Sequence, residues 1–319
     1  MKLVRFNQGR LGVTDGQRVV DVTSLSNSAA QDWPPVGMNR LIRNFAQLRP
    51  QLMAALDSQT GVPLSSVRLE TPLPWPNKLL AYPVNYHDHA TEMASRGLAN
   101  IQGFFLKANS SLSGPSDPME LPNLPGREVH HECEIALIIG KEGRQISEEN
   151  ALDHLFGYAC LLDMTIRGNE ERVMRKSFDS FTPVGPWIVT ADEVSDPFNI
   201  NMRLWVNGEL RQQANTQDLI VNIPKMIAIA SSAATLYPGD IIASGTPAGV
   251  GPVVAGDVIR IEVEQVGDMS IPVVAGAKGQ SIVFAKPYQF QRASCVRHYR
   301  HCERLLTWKR FIRFCRITA

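Results

Sequence analysis

The sequence predicts an α+β protein with a mixed, strand-rich core and few helices. Three observations predict it. A run of short β-branched segments, bounded by Gly, Pro, Asp and Asn, extends from Leu79 to about Val274. Only two helical stretches interrupt that run, and a small α+β segment with a Pro-rich link precedes it.

Residues 1 to about 72 alternate short apolar stretches, KLVRF and GVTDGQRVVDV, with turn residues. They then give a helical pattern, MNRLIRNFAQLRPQLMAAL, before TPLPWPNKL, so residues 1–74 are expected to form a small N-terminal α+β domain. The strand candidates that follow are GFFLKA, CEIALIIG, GYACLLDM, WIVT, MRLWVNG, DIIASG and DVIRIEVEQVG. Loops rather than regular helices link most of them, which favours a mixed core over a doubly wound parallel sheet. One helix is expected from about Glu148 to Leu155 with Ser147 as its N-cap, and another across IPKMIAIASSAATL before the PGD turn. Residues 75–288 form the expected catalytic domain. Residues 289–319 change composition abruptly, with eight Lys or Arg against one acid, Glu303, and read as a frayed basic tail outside the chemistry.

Composition narrows the function classes. With 44% apolar and 20% charged residues the 319-residue chain has ordinary globular values, and no uninterrupted apolar run of about 18 residues could cross a bilayer. The opening MKLVRFNQGRLGV lacks the apolar stretch and cleavage site of a secretory signal, so a cytoplasmic protein is expected. Five cysteines without a CxxC pair argue against a disulfide framework or a zinc finger. The body ahead of the tail is on the acidic side, which gives nucleic acid nothing to bind.

Chemistry concentrates in three acids. In HHECEIALIIGK, Glu132 and Glu134 stand two apart at the start of a strand-like run, so both side chains point to one face. The following IALII is apolar on both faces, which implies burial, and buried carboxylates need a cation or hydrogen bonds. Asp163 ends a similar apolar run in GYACLLDMT. Three carboxylates with no obligatory Cys or His suit Mg²⁺ or Mn²⁺ rather than zinc. In NYHDHATEMA, His89 and Glu92 are three apart and share a face if this stretch is helical. A carboxylate beside an imidazole makes a general base, and His87 is a rival for that role. Lys107 and Lys176 sit among aromatic and small residues, where a cation can bind a substrate carboxylate or an enolate. The Gly-rich SGTPAGVG, residues 244–251, has no Walker lysine and reads as a turn offering N–H groups and the Thr246 hydroxyl to an anion.

These segments, with KSFDSFTPVGP, LWVNGELRQQANTQDLI and PGDIIASGTPAGVG, resemble in order those of the fumarylacetoacetate hydrolase family over residues 75–275. The resemblance is specifically to the group with a small N-terminal extension that includes acylpyruvate hydrolases and 2-hydroxyhepta-2,4-diene-1,7-dioate isomerases. The resemblance implies a mixed β-roll core, a homodimer, and Mg²⁺ or Mn²⁺ held by Glu132, Glu134 and Asp163. It implies that His89 and Glu92 activate water on a lid segment, with Lys176 catalytic. Tyr86, Lys107, Arg167, Gln212 and Thr246 are the expected substrate contacts. One departure stands out: Gly168 follows Arg167 in DMTIRGN where the family commonly has an acid. The expected partner is a small 2-oxo acid, with neither nucleic acid nor membrane. The expected activity is hydrolysis of a carbon–carbon bond in a fumarylpyruvate-like 2,4-dioxo acid through a metal-stabilised enolate. An oxaloacetate-type decarboxylase or a dienedioate isomerase is the alternative on the same scaffold, and a binding module using the basic tail is a remote one.

Overall fold

A computed structural model describes residues 1–58, 60–94 and 97–277; the basic tail of residues 289–319 lies outside them. The chain begins with β1 (Lys2–Phe6), β2 (Arg10–Thr14) and β3 (Arg18–Asp21), then α1 (Gly37–Arg43), α2 (Phe45–Ser58), β4 (Val62–Pro63) and β5 (Leu69–Glu70). Next come β6 (Leu79–Ala81), α3 (His87–Glu92), α4 (Ala99–Gln102), β7 (Phe105–Leu106), β8 (Leu112–Ser113), β9 (Met119–Leu121) and β10 (Val129–His131). The centre is β11 (Cys133–Ile139), β12 (Leu155–Leu162), β13 (Thr165–Ile166), α5 (Arg172–Arg175) and β14 (Thr182–Thr190). The remainder is β15 (Asn201–Val206), β16 (Glu209–Asn215), α6 (Ile223–Ala233), β17 (Ile241–Ala243), β18 (Gly251–Val253), β19 (Val258–Val263) and β20 (Gly267–Ala275).

The result is a mixed α/β fold with several sheets and few helices. The main sheet runs β4-β3-β2-β1-β14-β12-β11-β17-β6-β7, with β5 added to β1 and β8 to β14. A second sheet runs β13-β10-β18 and a third β16-β15-β19-β20-β9. Every residue of β11 and of β12 is buried, which is why CEIALII and LFGYACLL read as continuous apolar runs rather than as alternating ones. The N-terminal strands extend this sheet: Lys2 and Leu3 of β1 pair antiparallel with Val189 and Ile188 of β14. Strand pairing therefore crosses residue 74. Leu41 and Leu52, from α1 and α2, share one core with Ala136, Leu161, Ile188 and Ile241.

Two local expectations change in detail, and a third is met. The long N-terminal helical pattern breaks at Asn44, which separates α1 from α2. The stretch after Ser147 is a 3₁₀ turn, Glu148–His154, and the Ser147 side chain makes no capping bond to it. α6 does form, and Asn222 Oδ1 caps it by accepting the Lys225 N–H at 3.0 Å.

Candidate active site

The register of β11 against β12 assembles the acids. Cys133 pairs antiparallel with Leu162, so the residue before β11 and the residue after β12 become neighbours, and Asp163 N–H donates to the Glu132 carbonyl at 3.0 Å. Glu134, one pleat on from Glu132, faces the same way. Carboxylate oxygens of Glu132, Glu134 and Asp163 all lie within 4.8 Å of one another, and all three residues are buried. An oxygen-only donor set of this charge, taken out of water, fits a hard divalent cation such as Mg²⁺ or Mn²⁺.

Two lysines brace the cluster. Lys176 Nζ donates to Glu132 Oε2 at 2.5 Å and to Asp163 Oδ2 at 2.7 Å. Lys107 Nζ donates to Asp163 Oδ1 and, at 3.2 Å, to the Phe181 carbonyl. The two glutamates respond in opposite directions. Burial alone would raise Glu132, but Lys176, Arg167 and His89 outweigh it and hold the carboxyl at about 2. Glu134 is pushed well above the usual carboxylate range by burial and by Asp163, although the Gly245 N–H donates to its Oε2 at 2.8 Å.

α3 brings the imidazole to the same place. His89 is buried and lines the cavity, whereas His87 is exposed and does not. His89 Nδ1 lies 3.0 Å from Glu92 Oε2, and Glu92 Oε1 accepts the Gly249 N–H at 3.0 Å. The Gly-rich loop thus spends two N–H groups on the acids of the site rather than on a ligand, a correction to its expected use. Gly245 and Gly249 have φ of +90° and +94°, a backbone that L side chains rarely adopt, and this conformation directs those N–H groups inward.

Glu132, Glu134, Asp163, His89, Lys176, Arg167 and Thr246 line one cavity of about 410 Å³. Tyr86, Glu92, Lys107 and Gln212 are not among the residues that line it. The ammonium of Lys107 is fully covered and committed to Asp163. Gln212 is buried: its Oε1 accepts the Cys133 N–H at 3.0 Å and faces His131 Nδ1 at 3.0 Å. Its Nε2 donates to Thr246 Oγ1 at 2.8 Å and to the Pro247 carbonyl at 2.9 Å. Thr246 is therefore an acceptor toward Gln212 and keeps its own proton for the cavity. Burial brings His131 down to about 4, so it is neutral in this chain of bonds.

The departure at Gly168 has a steric reason. A side chain there would overlap the Arg127 guanidinium, which makes two bonds to the Arg167 carbonyl, at 2.9 and 2.8 Å, and a two-pronged pair with Glu170, at 2.9 and 2.7 Å. Arg127 grips the backbone of Arg167, whose Nη2 lies 3.5 Å from Glu132 Oε1. Residues that sequence reasoning passed over also line the cavity, above all Phe105, Arg172 and Arg175. Only the four-residue step from Arg172 to Lys176 could have pointed to one of them.

Three buried carboxylates beside an acid-braced imidazole, in a cavity rimmed with cations, define a metal-dependent enzyme acting on a small anion. The chain belongs to the fumarylacetoacetate hydrolase family: residues 78–274 match the profile described as fumarylacetoacetate (FAA) hydrolase C-terminal. It is similar to the maleylpyruvate hydrolase of Aquipseudomonas alcaligenes, 43% identical over 285 residues, 86% of this chain and 99% of that protein. An oxaloacetate tautomerase of Xenopus laevis is 36% identical over 295 residues, 86% of this chain and 90% of that one. The crystal structure of maleylpyruvate hydrolase from Sphingobium sp. SYK-6 in complex with manganese (II) ion and pyruvate superposes with a TM-score of 0.81 at 56% identity, over 87% of this chain and 100% of that chain. Among the described residues no helix is long and apolar enough to cross a membrane.

Proposed function

We propose that this protein hydrolyses the carbon–carbon bond of an acylpyruvate, a fumarylpyruvate-like 2,4-dioxo acid, with Mg²⁺ or Mn²⁺ held by Glu132, Glu134 and Asp163. The observation that carries this reading is the His89–Glu92 dyad opening on the cavity that holds the three acids. Hydrolysis needs a base for water; a decarboxylase or an isomerase working through an enolate needs no water nucleophile. When bound, the cation polarises the oxygens of the 2-oxo acid and lowers the energy of the enolate that leaves.

The chain's own residues do the rest. His89 takes a proton from water, and Glu92 fixes the imidazole tautomer by occupying Nδ1. The hydroxide formed adds to the distal carbonyl carbon. The bond between that carbon and the neighbouring methylene then breaks, its electron pair passes into the pyruvate enolate, and the imidazolium returns a proton to the methylene carbon. Lys176, beside Glu132 and Asp163, offsets the enolate charge, and Thr246 donates its hydroxyl proton to a substrate oxygen. Arg167, anchored through Arg127, faces the same oxygens. Tyr86, Lys107 and Gln212 act as positioning residues.

The same reading takes the sheets as a β-roll, residues 1–74 as an N-terminal module, 75–288 as the catalytic one, 289–319 as a tail, and the working form as a cytoplasmic homodimer. A panel of acetylpyruvate, fumarylpyruvate and oxaloacetate, assayed with Mn²⁺, tests the reaction class. Acylpyruvates should be cleaved, and His89→Ala should lower that rate about 10²–10⁴-fold. Faster loss of CO₂ from oxaloacetate, or an unimpaired His89→Ala, contradicts the assignment.

A further inference from the structure

The charges around the cavity do not favour a lone cation. Apart from His89, the charged side chains of its wall are three acids, Glu132, Glu134 and Asp163, and four bases, Arg167, Arg172, Arg175 and Lys176. Lys107, which is not in that wall, adds a fifth base by donating to Asp163. A site meant to hold a divalent ion by charge alone would carry the opposite excess.

Lys176 stands closest to the acids. Its Nζ donates to Glu132 Oε2 at 2.5 Å and to Asp163 Oδ2 at 2.7 Å, so one ammonium bridges two of the three residues that fit the cation. Lys107 takes the other oxygen of Asp163, and Arg167 Nη2 lies 3.5 Å from Glu132 Oε1. All four carboxylate oxygens of Glu132 and Asp163 therefore have a cationic neighbour. Glu134 is met by a neutral donor, the Gly245 N–H, at 2.8 Å. A carboxylate oxygen that accepts one bond keeps a second lone pair, so the same acids can still bind a metal ion. They do so against like charge in a buried place. The three acids are already matched by Lys107, Lys176 and Arg167. Two further positive charges there are unfavourable unless an anion enters with them.

We infer that Lys176 has a second role, as the group that links the cation to the anion. Its ammonium opposes Mg²⁺ or Mn²⁺, so the ion alone is held weakly and exchangeably, and firmly only when an anionic ligand shares the cavity. By linkage the ion tightens the anion by the same factor. This rests on the cation site of the proposed function and not on the bond that breaks.

Mn²⁺ titrated by calorimetry into the chelator-treated full chain, alone and at saturating pyruvate, tests both halves. In the wild type, pyruvate should tighten Mn²⁺ by about tenfold or more. Lys176→Met should bind Mn²⁺ alone about tenfold more tightly than the wild type and gain less from pyruvate. Lys176→Arg, which keeps the charge, should stay within about threefold of the wild type for Mn²⁺ alone. Equal or weaker Mn²⁺ binding by Lys176→Met would mean that the lysine holds the ligands in place, and overturns the inference. Tightening in Lys176→Arg as large as in Lys176→Met overturns it too, because charge would not be the cause. If Lys176→Met does not fold, Lys176→Gln replaces it. A wild-type chain whose Mn²⁺ affinity is the same with and without pyruvate overturns the linkage with no variant at all. None of these titrations needs turnover, so failure to cleave any acylpyruvate would defeat the hydrolase reading and leave the linkage to be decided by binding.

Discussion

The two ends of the cavity handle charge in opposite ways. At the acid end every buried carboxylate already has a donor: Lys176 for Glu132, the Gly245 N–H for Glu134, and both lysines for Asp163. At the arginine end Arg172 and Arg175 are held by carbonyls, an amide oxygen and an aromatic face, and among the described residues neither lies within ion-pair distance of a carboxylate. A half-paired buried charge is destabilising, so the acid end is built to survive folding, whereas the two arginines have no ion pair among the described residues.

The largest effect that sharpens this comparison is loss of the cation. Chelation, or Glu134→Gln, should lower hydrolysis by on the order of 10³-fold or more, because several kcal/mol of transition-state charge stabilisation go with the cation. Adding back Mn²⁺ or Mg²⁺ should restore the chelated enzyme but not the variant. Activity that persists in chelator would place the chemistry elsewhere in the cavity.

Next in size is a stability effect. Lys107→Met strips Asp163 of a fully covered partner, and breaking a buried pair on one side costs about 3–5 kcal/mol. Urea denaturation should show a lower midpoint with an unchanged slope. A shift within about 0.5 kcal/mol would mean that Lys107 is not needed to hold Asp163, and the contrast between the two ends would weaken.

Much of the acid end was legible in the sequence. Alternation alone put Glu132 and Glu134 on one face, and the three-residue step put His89 beside Glu92. That Asp163 joins them follows from the register Cys133↔Leu162, a non-local pairing that no spacing encodes. The union of β1 with β14 was hidden for the same reason. Residue type reveals that Lys107 and Gln212 can form hydrogen bonds, but not that they form them with Asp163, Phe181, Cys133 and Thr246. Arg172 and Arg175 were missed because a sequence cannot distinguish an arginine bonded to neutral groups in a cavity wall from one tipped into water.

A smaller effect tests the clamp beneath Arg167. Two hydrogen bonds from Arg127 hold Glu170 at about 2, below its usual value, against a slight opposing push from burial. The folded state therefore binds that proton less readily than the unfolded chain. The contribution is fully present above about pH 4.5 and fades as pH falls toward 2. Because the pair is partly solvated it is worth about 1 kcal/mol. Glu170→Gln should lose that amount at neutral pH and show a shallower fall in urea midpoint between pH 4.5 and 2. Parallel profiles for the two proteins would remove Glu170 from the clamp.

The smallest expected effect is the most telling about the arginine end. Among the described residues the Arg172 side chain makes one hydrogen bond, to Gln102; Arg175 repels it, and Glu132, Asp163 and Glu171 attract it. Replacing it with Gln forfeits a contact over Phe105 and that attraction while relieving the repulsion, terms of opposite sign. Arg172→Gln should therefore change unfolding free energy by less than about 0.5 kcal/mol, the range usual for substitutions that break no packed or paired feature. A larger loss of stability would show that Arg172 is part of the framework, and the contrast between the two ends would then fail at its clearest point.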